Sequence, residues 1–191
     1  MVAKREESVK VYSMSGMAKL KGFIKNGLDT STIINVIVSF DSEFKEFRER
    51  GFTFPPHLFF YHEISWPETI GVLINNHKFT KEEAIDSLKK IIMQFNLTKI
   101  KRLDSDDLLE SMVREANQRV VAKENNPRLK IGEQDITIIG GFFKEKVNFI
   151  HSGDNGFLKT CEELGLNTVP LPERDADKEK EIKRYMKKGR S

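Results

Sequence analysis

The residues best suited to catalysis or metal binding in this 191-residue chain are acids. They lie in four segments that follow a strand candidate or open a helix candidate. In an open parallel sheet the carboxyl ends of the strands meet at one edge, so acids placed there face a common cleft. Mg²⁺ and Mn²⁺ prefer carboxylate oxygens. A bound ion lowers the pKa of its water and stabilises charge on a phosphate under attack. The four segments are 28–31, 66–69, 132–136 and 151–157.

The composition is that of a globular protein with a highly charged surface. The chain is 38% hydrophobic and 32% charged, and fourteen Phe residues indicate a core filled by Phe, Ile and Leu. No apolar run approaches the roughly 20 residues of a membrane span, and residues 1–10 lack the apolar stretch of a signal peptide. The single cysteine, Cys161, excludes a disulfide framework and a multi-cysteine zinc site, so we expect a cytoplasmic protein.

Hydrophobic periodicity predicts short strands that alternate with helices. Such an order predicts an α/β fold, a central parallel sheet with helices on both faces. Residues 32–38 suit either a strand or a buried helix. The strand candidates are residues 22–28, the apolar run 57–64, and residues 147–150 and 168–172. The helix candidates are residues 44–50, 65–74, 80–95, 104–123, 136–143 and 157–164.

Two local patterns make sharper predictions. Ser65 and Glu68 are spaced as the partners of a capping box at a helix N-terminus, and so are Thr80 and Glu83. In the long helix 104–123 we expect one apolar stripe to face the core. The residues of that stripe are Leu108, Leu109, Met112, Ala116, Val120 and Val121.

The order of the acids and the residues around them resemble the PIN domains, which are nucleases. The family pattern has a first acid in an Asp-Thr-Ser-like strand end and a Glu that opens a helix. It continues with an Asp before an apolar helix and an Asp after a late strand, followed by Phe. Two positions depart from it: Gly156 stands where many members have a second acid, and Ser152 replaces the usual Thr. The matching residues are Asp29-Thr30-Ser31, Glu68, Asp135, and Ser152-Gly153-Asp154 with Phe157.

This resemblance implies a Rossmann-like PIN fold over residues 22–172, between an N-terminal extension (1–21) and a basic C-terminal tail (173–191). It also implies a Mg²⁺- or Mn²⁺-dependent endoribonuclease. Its implied partners are RNA, an antitoxin or RNA-processing protein, and a second copy in a homodimer, with no membrane. A non-catalytic PIN-like module that binds RNA or protein is the alternative. The implied catalytic and metal-binding residues are Asp29, Glu68, Asp135 and Asp154.

Each of these acids also has a structural interpretation. Asp29 and Asp135 could cap the helices that follow them, Glu68 could close the box with Ser65, and Asp154 lies in a Gly-Asp-Asn-Gly turn pattern. Two other acids compete for the same roles. Asp41 is an alternative to Asp29, and Glu63 is an alternative to Glu68. We prefer Asp29 because its Asp-Thr-Ser is the better match to the family pattern.

The net charge of +3 is unevenly distributed along the chain. Residues 178–190 carry seven basic and two acidic side chains, a net of +5, which leaves −2 for the rest of the chain. A basic tail of this kind can lie along a phosphate backbone, although a solvated terminus has the same composition.

Overall fold

The structure, a computed structural model, describes residues 23–38 and 57–171. Within these residues five strands form one parallel sheet in the order β3-β2-β1-β4-β5. The central strand is therefore β1, and the last strand lies at one edge of the sheet. The strands are β1 (Ile24–Leu28), β2 (His57–His62), β3 (Thr98–Ile100), β4 (Phe149–Ser152) and β5 (Asn167–Pro170).

Helices pack on both faces of the sheet, as predicted from the alternation of elements. Leu28, Phe59 and Tyr61 contact the helices of one face, while Phe60 and Ile150 contact those of the other. Phe60 and Tyr61 are neighbours in β2 and face opposite sides, as successive strand residues must. The first three helices cover one face and the last three the other: α1 (Thr30–Val38), α2 (Ser65–His77), α3 (Lys81–Gln94), α4 (Asp107–Glu124), α5 (Glu133–Lys144) and α6 (Asn155–Glu163).

The register of the central strands brings their carboxyl ends to one edge. Gly27 of β1 pairs with Phe60 of β2, and Leu28 pairs with His151 of β4. The residues that follow β1, β2 and β4 therefore leave the sheet side by side. The segment 32–38, which suited a strand or a helix, lies in α1, where packing on all sides outweighs the low helix propensity of its β-branched residues.

The predicted apolar stripe of α4 is wrong at two positions. Leu108 is 71% exposed and Met112 is 42% exposed. The buried face carries polar side chains that a count of apolar residues passes over. Burial of Glu110 is tolerated because its carboxylate accepts hydrogen bonds from Arg102 Nε at 2.7 Å and from Thr137 Oγ1 at 3.0 Å. The face that packs on the core is formed by Glu110, Val113, Ala116, Asn117 and Val120.

Helix α5 continues through Gly140 and Gly141, as predicted. At Gly141 the helix lies close against β2. A Cβ atom on Gly141 would stand 2.7 Å from Cδ2 of His62. The short strand β3 was absent from the sequence prediction, since only three residues form it. Cys161 lies in the core, as predicted. In the described ranges no helix has the length and apolar composition to cross a membrane.

Several predictions fall on residues that the structure does not describe. The helix at 44–50, the alternative acid Asp41, the N-terminal extension 1–21 and the basic tail 173–191 lie outside the described residues.

Candidate active site

Asp29 lies at the centre of the candidate site, directly after β1 and before α1. Only 4% of the residue is exposed. Its carboxylate accepts hydrogen bonds from Thr30 N at 2.6 Å, Ser31 Oγ at 2.8 Å and Ser152 Oγ at 2.8 Å. Burial raises the pKa of Asp29 above its ordinary value, while these donors favour the charged form. The predicted capping role is present too, since Asp29 holds the first backbone N–H groups of α1.

Glu68 joins the site through Thr30, and the capping box predicted for it is wrong. Helix α2 has Ile64 at its N-cap and no side-chain cap, because Ser65 is already the first helical residue. The carboxylate of Glu68 instead accepts a hydrogen bond from Thr30 Oγ1 at 2.7 Å. The competing acid, Glu63, accepts the backbone N–H of Arg102 at 2.9 Å, on the side of β3. These contacts favour Glu68 over Glu63 as the acid next to Asp29.

Asp154 is linked to Asp29 by a buried serine. Ser152, the last residue of β4, donates from its hydroxyl to Asp29 and accepts the backbone N–H of Asp154 at 3.0 Å. Asp154 also caps α6, because its Oδ1 accepts the N–H of Phe157 at 2.8 Å. Sequence reasoning noted Ser152 only as a departure from the family pattern. Its position at a strand end next to an acid was the signal for this bridging role.

Asp135 lies on α5, which covers the face of the sheet opposite to α1 and α2. It is the third residue of α5, and its Oδ2 accepts the N–H of Gly132 at 3.1 Å, so its predicted capping role is present. Burial above all, together with the negative charges of Asp29, Asp154 and Glu68, raises the pKa of Asp135 to about 6, although the N–H of Gly132 acts in the lowering direction. Asp29, Asp154 and Glu68 therefore lie near enough to Asp135 for their charges to act on it.

All four acids lie in the first turn or at the cap of a helix, in α1, α2, α5 and α6. Helix N-termini carry partial positive charge, which stabilises a carboxylate placed there. For Asp29, Asp135 and Asp154 the structural and the functional interpretations are therefore compatible. The same backbone groups that hold an acid as a cap also direct it toward the shared edge of the sheet.

The donor chemistry of the group suits a hard divalent cation. Glu68, Asp135 and Asp154 each have one carboxylate oxygen that accepts no hydrogen bond from the described part of the chain. Oxygen ligands of this type are the ones that Mg²⁺ and Mn²⁺ prefer. Among the described residues no three His, Cys, Asp or Glu side chains already form a closed metal-binding group.

The raised pKa of Asp135 makes the metal-free protein sensitive to pH at this residue. A carboxyl group whose pKa is higher in the folded state stabilises the fold below its unfolded pKa of 3.8, and this contribution is lost as the pH rises through about 6. Asp135→Asn removes the charge at nearly constant shape. We expect it to raise the metal-free melting temperature at pH 8 by roughly 2–4 °C, or about 1 kcal/mol after allowance for solvent screening.

The measurement is a melting curve in EDTA at pH 8 and at pH 4, where the gain should nearly vanish. Asp86→Asn, an exposed acid on α3, is the matched control and should have little effect at either pH. An Asp135→Asn protein that is less stable than the wild type at pH 8 would show that the acid acts only as a cap.

No family model matches the sequence, and no curated protein matches it significantly. Solved structures show the same fold. VapBC2 from Rickettsia felis, bound to a DNA fragment from its promoter, matches with a TM-score of 0.58 and 15% identity over 78% of this chain and 100% of that chain. VapBC-1 from nontypeable Haemophilus influenzae matches with a TM-score of 0.53 and 16% identity over 77% of this chain and 98% of that chain. Likeness at these identities establishes the fold alone, and it confirms the PIN-like fold expected from the sequence.

Proposed function

We propose that this chain, whose fold is PIN-like, is an endoribonuclease that uses Mg²⁺ or Mn²⁺ held by Asp29, Glu68, Asp135 and Asp154. One observation carries the proposal: hydrogen bonds through Thr30 and Ser152 connect Glu68 and Asp154 to the Asp29 strand end, and Asp135 lies near enough for all three charges to act on it. Like charges held together oppose one another's ionisation, so the group is unfavourable without a cation. Perturbed acids in a shared cleft are typical of functional sites.

The chain's own residues have distinct parts in this site. Asp29 is oriented by hydroxyl and amide donors, which favour its charged form against the effect of burial. Thr30 orients Glu68 through the hydrogen bond between Thr30 Oγ1 and Glu68 Oε2. With a pKa of about 6, Asp135 carries a proton below that pH when no cation is present, and a bound cation would favour its charged form. When bound, the ion would supply an activated water and charge stabilisation at the phosphate.

The partners that we propose are RNA as the substrate and an antitoxin as a regulatory partner. Both similar structures are VapBC assemblies, and one of them is bound to DNA. A toxin of a toxin–antitoxin pair is therefore the role that the fold favours over an RNA-processing enzyme. The homodimer and the cytoplasmic location expected from the sequence remain parts of the proposal.

The test is cleavage of a 5′-labelled single-stranded RNA by the full chain. We expect cleavage with Mg²⁺ or Mn²⁺ and none in EDTA, because water attack on the phosphodiester depends on the bound ion. Re-addition of Mn²⁺ after EDTA should restore cleavage, which separates loss of the ion from loss of the fold. A protein that binds RNA or a protein partner but leaves RNA intact in every cation would instead be the non-catalytic binding module.

A further inference from the structure

We propose that Asn117, on the buried face of α4, is a positioning residue that sets the distance between Asp135 and Asp154. This role rests on the function proposed above, because it concerns the same carboxylate group. Asn117 is only 5% exposed, and its hydrogen-bond partners lie in two different segments, each of which leads to one of the two acids.

The first partner segment leads into α5. Asn117 Nδ2 donates to the carbonyl oxygen of Leu129 at 2.9 Å, and Asn117 Oδ1 accepts the N–H of Ile131 at 3.3 Å. The next residue, Gly132, is the N-cap of α5 and donates its N–H to Asp135. The amide of Asn117 therefore fixes the point at which α5 begins, and with it the position of Asp135.

The second partner lies in α6. Asn117 Nδ2 also donates to Thr160 Oγ1 at 2.9 Å, and the hydroxyl of Thr160 donates to the carbonyl oxygen of Gly156 at 2.7 Å. Gly156 lies in the first turn of α6, two residues after Asp154, the cap of that helix. One buried amide thus connects the helix start that carries Asp135 with the helix start that carries Asp154.

The two helix starts are also in direct contact at Gly156. A Cβ atom at this position would stand 2.7 Å from the carbonyl oxygen of Leu129, the same oxygen that Asn117 binds. Leu129 and Gly156 therefore pack backbone against backbone. This contact explains the glycine at position 156, because a side chain there would push the Leu129 segment away.

Asn117 has no hydrogen bond to any of the four acids. Its replacement therefore keeps all four carboxyl groups in the chain and removes only the hydrogen bonds that connect the two helix starts. Asn117→Leu, of similar size, would leave the Leu129 carbonyl and the Ile131 N–H without their partner. Thr160→Val, of nearly the same shape as threonine, would remove the second half of the connection alone.

The experiment measures Mn²⁺ affinity of the full, metal-free chain by calorimetry, together with kcat and KM for RNA cleavage, below the melting temperature of each variant. Loss of a group that orients metal ligands typically weakens metal binding about 10–100-fold. We expect Asn117→Leu and Thr160→Val to weaken Mn²⁺ binding by about 10-fold or more and to lower kcat similarly, with KM changed by less than about twofold. Thr160→Ser keeps the hydroxyl and should restore wild-type values.

Val120→Ala, on the same buried face of α4, is the control for stability alone, because it opens a cavity and removes no hydrogen bond. Asn117→Leu and Thr160→Val proteins that bind Mn²⁺ as tightly as the wild type would overturn the role of Asn117. So would a Val120→Ala protein with an equal loss. If Asn117→Leu does not fold, Thr160→Val alone decides. A wild-type protein that binds no Mn²⁺ would overturn the proposed function and this role together.

Discussion

Asp135→Asn is expected to lower cation-dependent RNA cleavage by at least about 10²-fold, the scale of losing one strong electrostatic contributor in an active site. The substitution removes a charge from the proposed cation site but keeps an oxygen that can accept the N–H of Gly132. The helix cap and the fold should therefore survive. Because the carboxylate charge attracts the cation, binding of Mn²⁺ should weaken as well.

Two measurements check this expectation. The first is the rate of RNA cleavage under saturating Mn²⁺. The second is the rise in melting temperature on adding Mn²⁺, which reports binding to the native state and should shrink in the variant. Asp86→Asn on α3 is the control and should retain both. Full cleavage by the Asp135→Asn protein, or cleavage that EDTA leaves unchanged, would contradict the metal-dependent mechanism.

Gly156→Ala and Gly71→Ala are expected to change stability in opposite directions. At Gly156 a Cβ atom would stand 2.7 Å from the carbonyl oxygen of Leu129, a backbone atom that cannot simply rotate away. Overpacking of this kind destabilises by about 1–3 kcal/mol. Gly71, inside α2, has nothing within 4 Å of the added atom. Alanine there should stabilise by up to about 1 kcal/mol, because glycine is a poor residue for a helix interior.

The measurement is urea unfolding of both variants beside the wild type. The expected free energies of unfolding correspond to a melting temperature about 2–10 °C lower for Gly156→Ala and up to about 4 °C higher for Gly71→Ala. A Gly156→Ala protein as stable as the wild type would show that the Leu129 segment moves freely, against the close contact between the two helix starts.

The amino-acid sequence by itself determined the class of fold. It also located the four segments that carry the candidate acids. The alternation of short apolar runs with amphipathic segments was sufficient for a parallel sheet covered on both faces, because both periods are local properties of the chain. Thr80 and Glu83 form the capping box that their spacing predicted, with bonds of 3.2 and 2.8 Å, since both partners lie within one helical turn.

Only the tertiary structure decided which contacts those residues make. Glu68 has the spacing of a box with Ser65, yet it bonds Thr30, which is 38 residues away in the chain. Strand β1 was a weak candidate because Asn26 and Gly27 are not apolar. Asn26 is buried with a hydrogen bond to the carbonyl oxygen of Leu58, and a Cβ atom at Gly27 would stand 3.0 Å from the ring of Phe142, which is tighter than an ordinary contact. The pKa of Asp135 likewise depends on three acids that lie distant in sequence. Buried polar groups need specific partners, and adjacent strands supply them from distant parts of the chain, so no local pattern records them.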